Sequence, residues 1–83
     1  MAIRILLADD HTVVRDGLRA LLDRESDMIV VAEASDGQES IRLAESETPD
    51  VVVMDLAMPN MNGMEATRRI LAVNPRIGVV ILS

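Results

Sequence analysis

Short apolar runs and amphipathic stretches alternate along the 83 residues. Residues 3–8 (Ile-Arg-Ile-Leu-Leu-Ala) form a β-rich run. Residues 13–24 place Val14, Leu18, Leu21 and Leu22 at helical spacing, with Arg15, Arg19 and Asp23 elsewhere on the wheel. Residues 29–34 return to strand character until Ser35-Asp36-Gly37 breaks it. Asp36 with Glu39 resembles a capping box, and a helix to about Ser46 follows, with Ile41 and Ala44 inward. Thr48-Pro49-Asp50 is a stop signal. Residues 51–56 are the most strand-like run, and a loop around Pro59 follows. Asn62 and Glu65 look like a second capping box. Their helix runs to about Val73 and buries Ala66, Ile70 and Leu71 before Asn74-Pro75 ends it. Residues 77–82 are a fourth apolar strand.

The predicted order is βαβαβαβ. Continuous rather than alternating apolar strands imply burial on both faces, as in a parallel sheet flanked by helices. Such alternation gives right-handed crossovers and an α/β fold. Ligands of these sheets bind outside the carboxyl ends of the strands, near a switch in strand order. Asp9, Asp10, Asp55 and Ser83 all fall at carboxyl ends. Like charges brought that close call for a cation between them, and an oxygen-loving divalent ion suits carboxylates. Without a ligand, the same aspartates would solvate loops, and Asp10 could cap the first helix.

Composition narrows the classes. The length allows one domain. Apolar residues are 49% of the chain, enough for a core, yet no Phe, Tyr or Trp is present. The six Met therefore read as adaptable core filler rather than a soft-metal site. The absence of Cys excludes disulfides and thiolate chemistry. No run is long enough to cross a membrane, and no signal-peptide plan opens the chain, so a cytoplasmic protein is the default. A net charge of −6, with eight scattered Arg and no Lys, disfavours nucleic-acid binding by these residues. No phosphate-binding glycine loop is present. His11 reads as a polar surface residue. Pro59 fixes a turn, Gly63 permits close backbone approach or a special dihedral, and Gly17 suggests tight helix packing.

The segment Leu-Leu-Ala-Asp9-Asp10-His11, then Asp55-x-x-Met58-Pro59-x-x-x-Gly63, then a hydroxyl after the fourth strand, resembles the receiver domain of two-component response regulators. Asp9-Asp10-His11-x-Val-Val-Arg15-x-Gly17-Leu18 resembles more narrowly the NarL/FixJ group, which usually precedes a LuxR-type DNA-binding domain. The resemblance spans the whole chain. It implies a flavodoxin-like, doubly wound parallel sheet in the order 2-1-3-4-5. It also implies that Asp55 accepts a phosphoryl group from a histidine kinase. Asp10 and Asp55 would hold Mg²⁺ directly with the backbone carbonyl of Ala57, Asp9 would act mainly through metal-bound water, and Ser83 would be the switch hydroxyl.

Receivers continue with a further helix, a strand ending in an essential lysine, and a last helix. None of these is present, so residues 1–83 are expected to be one incomplete receiver without its output domain. Any DNA contact would belong to that output domain. The fourth strand then becomes an unprotected edge, and a homodimer or higher oligomer is expected. Two other readings compete. One is a non-catalytic oligomerising fragment. The other is a haloacid-dehalogenase-like phosphatase, which the adjacency of Asp9 and Asp10 disfavours, because that class resembles Asp-x-Asp.

Overall fold

The computed structural model describes residues 2–82. The elements are β1 (Ile3–Ala8), α1 (Thr12–Asp23), β2 (Met28–Ala34), α2 (Gly37–Glu47), β3 (Val51–Asp55), α3 (Gly63–Val73) and β4 (Gly78–Leu82). All strand pairs are parallel, in the order β2-β1-β3-β4. This is the flavodoxin-like arrangement. The chain passes from β1 to β2 on one side and then to β3 on the other. The strand order therefore switches between β1 and β3.

Strand alternation divides the core into two layers. Leu6, Ala8, Val52 and Met54 face α2 and α3, where they pack with Ala44, Ala66, Ile70 and Ile77. Ile5, Leu7 and Val30 face the other way, with Leu18 and Leu22 of α1 half-buried against them. Leu6, Leu7, Val52 and Met54 are fully buried. Each contributes about 1.5–3 kcal/mol by burial, so β1 and β3 dominate the hydrophobic stabilisation.

One irregularity in β2 sets what α1 meets. Ile5 pairs with Val30 but Leu6 pairs with Ala32, leaving Val31 as an extra residue. Such a bulge reverses the facing of everything after it. Met28 and Val30 line the α1 side before it. Ala32 and Ala34 line the opposite core after it. Glu33, opposite Leu7, is thereby turned toward α1, where Arg15 and Arg19 pair with it.

The caps follow the sequence closely. Asp36 accepts from the Glu39 N–H at 2.7 Å, and Glu39 reaches back to the Ser35 N–H at 2.7 Å. The hydrogen bond from Glu39 is the main reason the Asp36 carboxyl titrates below the usual carboxylate range. At α3 only half of the box forms. Asn62 accepts from the Glu65 N–H at 2.9 Å. The Glu65 side chain turns instead to Arg68 and Arg69, which hold its carboxyl down at about 2.

Three expectations need correction. The face of α1 is not wholly inward. Leu18 and Leu22 pack on the sheet, but Val14 is 43% and Leu21 60% exposed. The α1 helix rests mainly on β1 and β2, so the α1 side of β3 and β4 is thinly covered among the described residues. The strands are accordingly not buried on both faces: Val80 is 51% exposed. Gly17 also has no packing role here, since a Cβ built on it meets nothing within 4 Å. Gly63 is the opposite case. Its φ is not positive, and a Cβ there would collide with the carbonyl oxygen of Asp55 and come within 2.9 Å of Leu56 Cα. Close approach is therefore what demands glycine at position 63.

Candidate functional site

The carboxyl ends of β1 and β3 lie side by side, because Ala8 pairs with Met54. Asp9 and Asp10 leave the end of β1, and Asp55 closes β3. Asp9 is buried, Asp10 exposed and Asp55 half-buried. Together with His11 they offer one ligand atom each within 4.8 Å of one another. The structure thus brings together three predicted site aspartates from positions 46 residues apart in sequence.

Each carboxylate is held differently. Asp9 Oδ1 accepts from the His11 N–H at 2.8 Å, closing an Asx turn at the entry to α1. Asp10 does not cap α1; the N-cap position is His11, without a side-chain cap bond. Asp55 Oδ1 accepts from the Ala57 N–H at 3.2 Å. Asp55 Oδ2 makes no hydrogen bond among the described residues and lies 3.8 Å from His11 Nδ1. One oxygen of Asp55 is anchored and the other faces the cluster. Ala57 is exposed two residues beyond β3. Ser83 lies outside the described residues. Leu82 before it pairs with Asp55, and its carbonyl accepts from the Leu56 N–H at 3.2 Å.

Three carboxylates this close repel by on the order of 3 kcal/mol per pair at an effective dielectric of about 20. His11 answers part of that repulsion. Its Nδ1 lies 3.0 Å from Asp9 Oδ1 and 3.1 Å from Asp10 Oδ1. The hydrogen bond with Asp9, then the charge of Asp10, raises the imidazole above its ordinary value, against a smaller opposing effect of desolvation. The sequence reading of His11 as a plain surface residue missed this. The only sequence signal was its adjacency to the acidic pair.

The β3–α3 loop is braced from two sides. Its Leu56 carbonyl accepts from the Gly63 N–H at 2.9 Å, and Met58 is buried. The Met61 N–H donates to the Pro59 carbonyl at 2.7 Å around Asn60, whose φ is 69°. The Asn60 amide in turn donates to Asp36 Oδ2 at 2.9 Å, tying this loop to the start of α2.

The donor set suits a hard cation. Three carboxylates converge, no thiolate is available, and the small number of protein ligands leaves room for water, which Mg²⁺ retains. These residues fit a divalent metal ion.

The family pattern described as the response regulator receiver domain matches residues 5–83. The chain belongs to that family. The receiver fold recurs in solved structures. The response regulator domain of Thermotoga maritima CheB superposes with a TM-score of 0.94 at 40% identity, over 98% of this chain and 60% of that one. A LuxR-family two-component response regulator from Aurantimonas sp. SI85-9A1 gives 0.92 at 46% identity, over 98% and 58%. Among curated relatives, the transcriptional regulatory protein LiaR of Bacillus subtilis is 54% identical over 68 residues, 82% of this receiver chain and 32% of its own length. The chain spans about a third of the length of the curated relatives it matches. No described helix of the receiver is long and apolar enough to cross a membrane.

Proposed function

We propose that this receiver takes a phosphoryl group onto Asp55 from a phosphohistidine of a histidine kinase, and that a DNA-binding output region elsewhere in the same protein reads the result. The observation that carries this is the Oδ2 atom of Asp55. It is free of hydrogen bonds among the described residues, on a carboxylate fixed by its other oxygen, amid two more carboxylates at the switch point of the sheet. In the transfer a phosphorus–nitrogen bond breaks and a bond from phosphorus to Asp55 Oδ2 forms. The departing imidazole nitrogen keeps the electron pair. The domain gains an acyl phosphate and is not a turnover enzyme.

Asp10 and Asp55 would hold Mg²⁺ directly, with the Ala57 carbonyl, and Asp9 through water. Bound Mg²⁺ supplies the positive charge that lets an anionic carboxylate meet an anionic phosphoryl group. The braced loop fixes the Asp55 backbone during the approach, and Ser83 would offer its hydroxyl to a phosphoryl oxygen. Acetyl phosphate with Mg²⁺ should add one phosphoryl group by intact mass, stable to acid and lost in alkali. Uptake at a Ser or His would overturn the assignment. Continuous phosphate release from added phosphomonoesters would favour a phosphatase instead.

Replacing a direct metal ligand costs more than replacing an outer partner, which by itself lowers affinity about 10–100-fold. Asp10→Asn is thus expected to weaken Mg²⁺ binding by at least about tenfold in calorimetry. Equal binding in the variant would show that the ion sits elsewhere.

A second copy of the chain is the other partner we propose. Among the described residues strand β4 pairs only with β3, and Val80 and Ile81 are 51% and 40% exposed on its two faces. An open, uncharged strand of this kind is a template for further pairing. Light scattering on the 83-residue chain should report a dimer or larger; a folded monomer at high micromolar concentration refutes this.

A further inference from the structure

Arg15 lies in the first turns of α1, six residues after Asp9. The helix carries its guanidinium back over the ends of β1 and β2. There Nη1 donates to the Asp9 carbonyl at 3.0 Å and stands 3.4 Å from the Ala34 carbonyl. The same Ala34 carbonyl accepts the Asp9 N–H at 3.0 Å. Nε is sealed from solvent and makes no hydrogen bond among the described residues; it stands 3.3 Å from Glu33 Oε1 as an ion-pair contact. Arg19, one helical turn on, grips the other oxygen of Glu33. Glu33 faces α1 only because of the extra residue Val31. One planar cation therefore spans both strand ends at the point where the acidic pair leaves the sheet, and a carboxylate aims it.

We propose that Arg15 is a positioning residue for the acidic site: it fixes the backbone at Asp9, and through it the placement of Asp9 and Asp10 for the metal ion. The proposal rests on the reading of the aspartate cluster as a Mg²⁺ site. Arg15 touches backbone carbonyls and Glu33, not the ligand oxygens. The guanidinium reaches two carbonyls through Nη1 while its Nε stands against Glu33, and the single ammonium of lysine does not reproduce both contacts. No hydrophobic residue of α1 is fully buried, so the Arg15–Glu33 pair carries much of what orients α1 over this end of the sheet.

The sign of the effect separates positioning from charge. A cation beside a metal site repels the metal. If Arg15 acted only as a nearby charge, neutralising it would tighten Mg²⁺ binding. If it positions the ligands, neutralising it loosens binding, as loss of an outer-shell partner does. Mg²⁺ titration by calorimetry, well below the melting temperature, is compared for wild type, Arg15→Gln, Arg15→Lys and Asp10→Asn, with unfolding of each followed in EDTA. The expected result is about tenfold weaker binding in Arg15→Gln and a smaller loss in Arg15→Lys, whose charge is unchanged. Equal or tighter binding in folded Arg15→Gln overturns the proposal, even if its melting temperature falls, because the residue would then only hold α1 in place. If Arg15→Gln does not fold, Arg15→Lys decides, and unchanged affinity there overturns the proposal. If Asp10→Asn also binds as wild type, the metal-site reading itself has failed.

Discussion

Asp55→Asn is expected to abolish phosphorylation completely while leaving the domain at least as stable as before. Asparagine keeps the oxygen that accepts the Ala57 N–H, so the end of β3 retains its shape. It loses the ionised oxygen that would attack phosphorus. It also removes one of three like charges gathered within 4.8 Å. The metal-free protein should then gain on the order of 1 kcal/mol, a fraction of the full repulsion because His11 already offsets part of it. Intact mass after acetyl phosphate and urea unfolding in EDTA read the two halves separately. A phosphorylated variant would show the nucleophile to be another residue. A marked loss of stability would mean that the carboxylate is a structural partner rather than a crowded charge.

Gly63→Ala should produce a large structural effect. The added methyl meets the Asp55 carbonyl oxygen and the Leu56 backbone, neither of which is the end of a flexible side chain. Overpacking against backbone costs about 1–3 kcal/mol, and for a domain this size each kcal/mol lowers the melting temperature by about 4–8 °C. The displaced atoms include the Asp55 carbonyl, so on the proposed role of Asp55 phosphorylation should slow together with the loss of stability. Gly17→Ala is the control, since open space surrounds that position. Wild-type melting and phosphorylation in Gly63→Ala would show that the loop yields freely and that glycine serves no purpose there.

The element order was legible because apolar runs and capping residues agreed. Asp36 and Asn62 stand at the caps they imply. The three aspartates could be placed together because a parallel sheet leaves few ways to arrange strand ends. What stayed hidden depended on tertiary detail. The inward half of α1 was overestimated, because periodicity shows which residues share a face but not how much of the sheet that face covers. Val31 looks like any strand residue, so nothing local reveals that it reverses Glu33. Arg15 carried no marker of burial, and His11 none of charge contact beyond its place next to Asp9 and Asp10, since both are polar residues at the start of an amphipathic helix. Gly17 and Gly63 are indistinguishable by type; only the backbone packed against Gly63 separates them.

The pairing order of the sheet also bears on how the protein comes off the ribosome. β2 joins β1, β3 joins β1 on its other side, and β4 joins β3. Every strand docks on one already synthesised, and none must wait for a later one. The nascent chain can build its sheet as it emerges, each new strand finding the edge left open by an earlier one. Assembly of the candidate metal site has a definite moment in that sequence. Asp9 and Asp10 are made early and remain without their counterpart until β3 docks and Asp55 arrives beside them.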